Sequence, residues 1–237
     1  MGKWVVSSWG EMYIPITQRR CMNFLTQLLL IAPPILLALT VHEYAHGLVA
    51  DRLGDPTARY AGRLTLNPLA HLDPIGTLML FVVHFGWARP VPVNPYNLRN
   101  PHRDMLWVSL AGPGANLALA LLLGLPLRFF DLQRLGTGTF MDVAALMLVY
   151  GVFFNIILAI FNLIPIPPLD GSKILAGLLP AEQAWKFQQF ERYGPMLLLG
   201  LIIMGSILHI PVLSMFLRPF VSFFSYLFTG HNLGAVL

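Results

Sequence analysis

The residues best suited to chemistry in this sequence are two histidines and a glutamate within one heptapeptide, Val41 to Gly47. If this stretch is helical, His42 and His46 are four residues apart on one face, so both imidazoles can bind one metal ion. Glu43 follows His42, where its carboxylate can act on a water molecule at that metal. Imidazole suits zinc, and a catalytic zinc keeps one position open for water. The spacing therefore predicts a hydrolytic zinc site.

The setting of this motif separates it from a chance match. From Met22 to Ala50, Glu43 is the only acidic residue, and neither Lys nor Arg occurs. An ionisable side chain at the centre of a membrane helix costs about 3 kcal/mol or more, so it indicates a functional site. A chance motif in a soluble helix would carry no such penalty. The apolar run therefore favours a metal site inside a membrane.

Composition indicates the class of protein. The chain has 237 residues, of which 56% are hydrophobic and 11% charged, and its mean hydropathy is +0.67. Soluble domains carry about 25% charged residues. We therefore predict an all-α polytopic membrane protein with about five to six transmembrane helices in the lipid bilayer. No basic run exceeds Arg19-Arg20, which argues against a nucleic-acid partner, and the single cysteine, Cys21, excludes a disulfide framework and a Cys-based zinc site.

The elements that would position the motif follow from the apolar runs. We predict membrane helices at about 22–53, 104–128 and 141–163, an amphipathic surface helix at 180–193, and two apolar runs at 195–210 and 211–229 that either span separately or form a hairpin.

The connection between the first two helices is long and rich in proline. Its apolar run from Ile75 to Phe85 is about half of what spanning needs. Pro90 and Pro92 stand at every second position after it, which forbids a helix or a central strand. Irregular backbone at membrane depth is tolerated only where protein or a watery cavity surrounds it. We therefore predict a re-entrant or extended segment near the zinc site.

Two histidines and a water leave a zinc site one protein ligand short. The candidates are His71, Asp73 and Asp170. Asp170 follows a spanning helix and a proline-rich break, and unwound backbone at that depth marks a site, so we favour it. The alternative for Asp170 is an N-cap of a short helix from Gly171 to Leu178. For His71 and Asp73, a turn-forming cluster is the better interpretation.

Taken together, these motifs make the chain resemble the site-2 protease family of intramembrane zinc metalloproteases, in particular its compact members without PDZ or CBS domains. The resemblance covers about residues 22–180. The motifs that carry it are His42-Glu43-Tyr44-Ala45-His46, Asn67-Pro68 with His71-Leu72-Asp73-Pro74, Gly86 to Asn94, Ala111-Gly112-Pro113 with Asn116, and Asn162 to Gly171.

The resemblance implies hydrolysis of peptide bonds within or next to the transmembrane helices of membrane-protein substrates, with zinc as cofactor. It implies His42, His46 and Asp170 as zinc ligands and Glu43 as catalytic base. Since a helical substrate must unwind before its carbonyls are free, an extended segment could pair with the unwound stretch. The candidate substrate-binding residues are Asn162, which the resemblance implies, together with Asn116, Pro90, Val91 and Val93.

An alternative function is a non-proteolytic membrane protein that binds or transports zinc. It would need the ligands but not Glu43, and it would favour more intramembrane acidic residues than this chain has. Cleavage by the wild-type chain but not by a Glu43→Gln variant separates the two functions.

Loop charges predict the orientation. Six Lys and Arg residues lie in 51–103 and three in 165–193, against one in 129–140. This places the first and third loops in the cytoplasm, with the active site of a plasma-membrane protein opening toward it. Arg19 and Arg20 would then face outward against the rule. We therefore expect a dispensable extension at 1–21, a metalloprotease core at 22–180, and C-terminal amphipathic and transmembrane helices at 181–237.

Overall fold

The structure is a computed structural model, and it describes residues 24–76, 88–130, 132, 139–207 and 212–233. The described residues form helices and loops, and their one β-type pairing is an isolated antiparallel bridge between Leu72 and Ala88. The all-α fold predicted above is therefore confirmed. The helices are α1 Phe24–Arg52, α2 Thr57–Tyr60, α3 Pro101–Leu127, α4 Phe140–Asn162, α5 Asp170–Leu178, α6 Ala181–Gln188, α7 Gly194–Ile207 and α8 Val212–Thr229. Short 3-10 turns lie at Pro68–Ala70, Pro95–Asn97 and Glu191–Tyr193.

Four helices in the described ranges are long and apolar enough to cross a membrane, namely Leu28–Arg52 of α1, then α3, α4 and α8. Each coincides with one of the predicted apolar runs. The run predicted at 195–210 forms α7, which has 14 residues and reaches the edge of the described part. A straight span needs about 20 residues. The chain is thus a polytopic membrane protein.

The loop after α1 is fixed by a glycine and a buried carboxylate. Gly54 has a φ of 113°, a conformation that residues with a side chain rarely adopt, and it directs the chain away from the helix. The next residue, Asp55, is fully buried. Its carboxylate accepts hydrogen bonds from the backbone N–H of Asn94 at 2.6 Å and the side-chain amide of Asn97 at 2.9 Å. The end of α1 is therefore tied to the residues that precede α3.

The chain divides into two compact units, one of residues 1–38, 117–160 and 204–237, the other of residues 39–116 and 161–203. In the first unit, glycines let helices approach closely. A Cβ atom added to Gly124 would lie 3.0 Å from Cβ of Phe228, and one on Gly151 would lie 2.8 Å from Cδ1 of Leu123. Small residues at such contacts are typical of membrane helices. The second unit contains every residue that the sequence singled out for the site.

The Asp170 alternative and two local predictions can be compared with these elements. The N-cap of α5 is Leu169, and Asp170 is the first residue of the helix, so the N-cap interpretation of Asp170 was wrong. The amphipathic helix predicted at 180–193 is α6 followed by the 3-10 turn Glu191–Tyr193. Residues 89–94 contain no helix, as their prolines predicted. The expectations for residues 1–21 and for most of the Ile75–Phe85 run fall outside the described ranges.

Candidate metal centre

Three side chains that the sequence singled out as ligands meet in the second unit. The Nε2 atoms of His42 and His46 lie 2.9 Å apart, and each lies 3.1 Å from Oδ2 of Asp170. All three residues are buried. Among the His, Cys, Asp and Glu side chains of the described ranges, these three form the group that lies close enough together to hold a metal ion. Neither His71 nor Asp73 belongs to that group.

Local helix geometry brings these atoms together. His42 and His46 are one turn apart on α1, and their rings are 4.5 Å apart, centre to centre, at an angle of 85°. Asp170 lies in the first turn of α5. That helix sits close to the preceding turn, because a Cβ atom on Gly171 would come within 2.5 Å of the carbonyl oxygen of Ile164. Glycine at this position therefore permits the packing that presents Asp170 to the histidines.

The far side of each imidazole is held by α3. Nδ1 of His42 lies 2.6 Å from Oδ1 of Asn116, and Nδ1 of His46 lies 2.7 Å from the carbonyl oxygen of Val108. Both oxygens are acceptors, so each Nδ1 carries the proton and donates it. In this tautomer the Nε2 atom, which carries the lone pair that a metal ion needs, faces Asp170 in both rings. Such outer partners orient metal-binding histidines and fix their tautomer.

This arrangement fits a zinc ion. Two imidazole lone pairs and a carboxylate oxygen converge, and three acceptors at this separation repel one another unless a cation lies among them. Two nitrogens and one oxygen form a donor set typical of catalytic zinc, which leaves a fourth position open. Zinc bonds of about 2.0–2.1 Å in a tetrahedron set ligand atoms about 3.3 Å apart. The observed separations of 2.9 to 3.1 Å need to widen by only a few tenths of an ångström.

Asn116 lies against one of the proposed ligands. We expected this residue to bind substrate; in the structure its side chain is fully buried and its amide oxygen faces His42. A side chain in that position can orient the ring, and its contact with substrate stays a prediction. An asparagine inside a membrane helix needs a hydrogen-bond partner, but spacing alone does not show that this partner is a histidine 74 residues away.

Gly112 is a further contributor that sequence reasoning missed. A Cβ atom at this position would come within 2.6 Å of the Cε1 atoms of both His42 and His46. Only glycine therefore lets α3 lie directly against the two rings. The small-residue run Ala111-Gly112-Pro113-Gly114 is typical of a close helix contact, but it does not identify the histidines as the partner.

The extended segment of residues 89–93 lies beside the glutamate of the motif. The backbone N–H of Val91 donates to Oε2 of Glu43 at 2.8 Å. The segment approaches α1 closely, since a Cβ atom on Gly47 would lie 3.2 Å from Cγ1 of Val91. Pro90 is exposed. Val93 is partly buried and packs against a cluster of Ala50, Leu98 and Val108, so part of its surface serves the core.

The remaining predicted residues lie elsewhere in the second unit. Asn162 is the last residue of α4 and is partly exposed. His71 is buried, and its Nε2 lies 2.8 Å from the carbonyl oxygen of Thr65. Oδ1 of Asp73 accepts from the backbone N–H of Gly76 at 2.7 Å, as a turn-forming Asp would.

The fold is that of a polytopic helical membrane protein. Two imidazoles and a carboxylate meet at a buried helix face, next to a glutamate. This donor set places the chain in the class of membrane metallopeptidases. Comparison with known proteins makes the class specific. A family model described as Peptidase family M50 matches residues 129–205.

Related proteins point the same way. The protein named "Putative zinc metalloprotease YwhC" of Bacillus subtilis (strain 168) is 39% identical over 202 residues, which cover 82% of this chain and 90% of that protein. "Putative zinc metalloprotease Rip2" of Mycolicibacterium smegmatis is 31% identical over 191 residues, covering 78% of this chain and 70% of the relative. No solved structure matches the chain. The chain belongs to peptidase family M50, the site-2 proteases, and is a zinc-dependent metalloprotease.

Proposed function

We propose that this metalloprotease hydrolyses peptide bonds within, or next to, the transmembrane helices of other membrane proteins. In this proposal His42, His46 and Asp170 hold zinc and Glu43 is the catalytic base. The observation that carries it is the convergence of three donor atoms, each within 3.1 Å of the others, beside a spanning helix. A hydrolytic centre built on such a helix can act on peptide bonds at membrane depth.

Zinc, when bound, supplies a Lewis acid that polarises the scissile carbonyl and makes a nearby water more acidic. The chain supplies the proton transfers. Glu43 takes the proton from the attacking water and delivers it to the leaving amine. The N–H of Val91 holds Oε2 of this carboxylate at 2.8 Å. The described part of the chain gives Oε1 no hydrogen-bond partner, so this oxygen is available for the transfer.

The extended segment offers a substrate an edge whose backbone donors and acceptors are unevenly available. The N–H of Arg89 donates to the carbonyl oxygen of His71 at 2.9 Å, and the N–H of Val91 donates to Glu43 at 2.8 Å, so both groups are already paired inside the protein. In extended backbone, successive residues face opposite sides, so Pro90 and Pro92 face away from these partners. Proline has no N–H, so this edge offers carbonyl acceptors only.

An acceptor-only edge has a consequence for recognition. An unwound substrate stretch would dock by donating its own N–H groups, in the manner of strand addition. Its carbonyls would stay free, and one of them is the group to be hydrolysed. Asn162, at the end of α4 and shortly before the turn that leads to Asp170, is our candidate for a side-chain contact to the substrate backbone.

We further propose that the chain lies in the plasma membrane with its zinc site open to the cytoplasm. The support is the excess of Lys and Arg in the first and third loops over the second. Water would reach the site through the polar first loop. Labelling of single cysteines placed in loops 51–103 and 129–140 of intact cells tests this orientation, which predicts external labelling of the second loop alone.

The activity itself is tested by reconstitution. The zinc-loaded chain is placed in liposomes with a synthetic single-span peptide that carries helix-breaking Gly and Asn residues, and products are located by mass spectrometry. We expect cleavage within or next to the span by the wild-type chain and none by Glu43→Gln at equal zinc content. Cleavage by Glu43→Gln, or cleavage confined to soluble tails far from the span, would contradict the proposal.

A further inference from the structure

Arg63 is a buried cation outside the metal centre. The residue is 8% exposed, and its Nη2 donates to the carbonyl oxygen of Arg89 at 2.6 Å. Its Nε is buried without a hydrogen-bond partner among the described residues. Burying a guanidinium is costly unless its interactions compensate. A turn between α2 and the next loop does not require an arginine, so its role must lie in what it holds.

Arg63 holds one end of the segment that reaches the glutamate. Its guanidinium binds the carbonyl of Arg89, and the carbonyl of His71 binds the N–H of Arg89 at 2.9 Å. Both backbone polar groups of Arg89 are thus fixed from within the protein. Two residues further on, the N–H of Val91 donates to Glu43. Two hydrogen bonds, joined by the backbone from Arg89 to Val91, therefore link Arg63 to the carboxylate.

The charges around Arg63 agree with this connection. Burial lowers the pKa of the Arg63 guanidinium and the positive charge of Arg89 lowers it further, whereas the negative charge of Glu43 raises it. The net direction of the pKa is downward from the ordinary value, and arginine still keeps its proton in proteins. The negative charge of Glu43 thus favours the charged form of Arg63, although the two side chains are not in direct contact.

We propose that Arg63 is a positioning residue for peptide hydrolysis, which fixes the Arg89–Val91 segment so that the N–H of Val91 orients Glu43. It acts through this segment and touches neither substrate nor metal. The inference rests on the proposed role of Glu43 as base. A catalytic group misplaced by about 1 Å can lower the rate about 100-fold. Loss of the Arg63 contact should therefore lower kcat while leaving the zinc ligands in place.

The test compares Arg63→Met, which removes the donor, with Arg63→Lys, which keeps a charged donor. Arg59→Met is the matched control, because the Arg59 side chain is exposed and its partner, Asp51, lies outside the contacts that link Arg63 to Glu43. Using the single-span peptide in liposomes, we expect Arg63→Met to lower kcat by about 10- to 100-fold with zinc content unchanged. Arg63→Lys should recover most of the loss, and Arg59→Met should match the wild type.

A second variant keeps the inference testable if Arg63→Met folds poorly. Val91→Pro removes the N–H that binds Glu43 and suits a segment already extended by its neighbouring prolines. Val91→Ala also shortens the side chain but keeps the N–H, so it controls for the lost side-chain contacts. Val91→Pro should lower kcat as Arg63→Met does, and the double variant should be no worse than either, since coupled groups are not additive.

The outcomes separate this inference from the proposed function. A wild-type kcat in Arg63→Met or Val91→Pro would overturn the role of Arg63 while Glu43→Gln stays inactive. Full additivity of the two losses would also overturn it, because the residues would then act independently. If Glu43→Gln itself cleaves the peptide, the proposed base is wrong and the inference falls with it.

Discussion

Replacement of Gly112 by alanine is the most local way to disturb the proposed zinc ligands without changing any of them. The new Cβ atom would lie 2.6 Å from Cε1 of His42 and of His46, where ordinary contact begins at 3.4 Å. The rings or α3 must therefore move by about 0.8 Å. Zinc sites tolerate ligand distances within about 0.2 Å of ideal values, so the displacement is several times the tolerance.

The expected loss follows from the cost of overpacking. Inserting a methyl group into a packed site costs about 1–3 kcal/mol. If the zinc-bound state bears this cost, zinc affinity falls roughly 5- to 150-fold, because each 1.4 kcal/mol is about tenfold. The assay is competition for zinc between the purified chain and a chromophoric chelator, followed by cleavage of the single-span peptide at matched zinc concentration.

Gly114 provides the matched control. It lies two residues along the same helix, and a Cβ atom there would meet no atom within 4 Å. Both substitutions add one methyl group and the same helix propensity, worth about 1 kcal/mol in a helix interior. If Gly112→Ala binds zinc and cleaves the peptide as well as Gly114→Ala does, the histidine rings do not lie under Gly112, and the proposed centre is wrong.

Three further predictions concern the ligands, their orientation and the loop after α1. Alanine at any proposed ligand, which are His42, His46 and Asp170, should remove zinc and activity, as measured by metal analysis and peptide cleavage. Alanine at either alternative candidate, His71 or Asp73, should remove neither. Asn116→Ala should lower zinc affinity about 10- to 100-fold in the chelator assay, because loss of an outer partner frees the His42 ring. An unchanged affinity would show that Asn116 does not orient this ring for zinc. Burial raises the pKa of Asp55, but hydrogen bonds from Thr57, Asn97 and Asn94 outweigh it and hold the pKa below the ordinary 3.8. Its contribution is then complete above about pH 5 and is lost as the pH falls through the folded-state pKa. The advantage of wild type over Asp55→Asn in denaturant unfolding should therefore shrink only in acid, and an advantage independent of pH would show that Asp55 acts without its charge.

The helices and the core of the site were accessible from the sequence because their signals are local. Apolar runs of about 20 residues predict spans, and the ends of α3 and α4 fell within three residues of the predicted ones. The i, i+4 spacing placed His42 and His46 on one face. The proline-rich break before Asp170 identified a carboxylate at the end of a spanning helix. The structure brings these three residues together, and their binding of zinc stays a prediction.

The supporting contacts were not accessible because each joins residues far apart in the chain. Asn116 meets His42 across 74 residues, and Arg63 meets Arg89 across 26. Neither pair has a spacing rule, since the contacts arise when whole elements pack against one another. Small residues such as those around Gly112 are typical of a close helix contact, but they carry no information about which residues make it. Outer partners of a metal centre therefore have to be read from the structure.

The position of bound zinc decides whether the proposed centre is correct. Crystals of the zinc-loaded Glu43→Gln chain, measured on both sides of the zinc absorption edge, would locate the ion by its anomalous signal. We expect one peak within about 2.0–2.2 Å of Nε2 of His42, Nε2 of His46 and a carboxylate oxygen of Asp170. A peak elsewhere, or one bound by His71 or Asp73 in place of Asp170, would contradict the proposed centre.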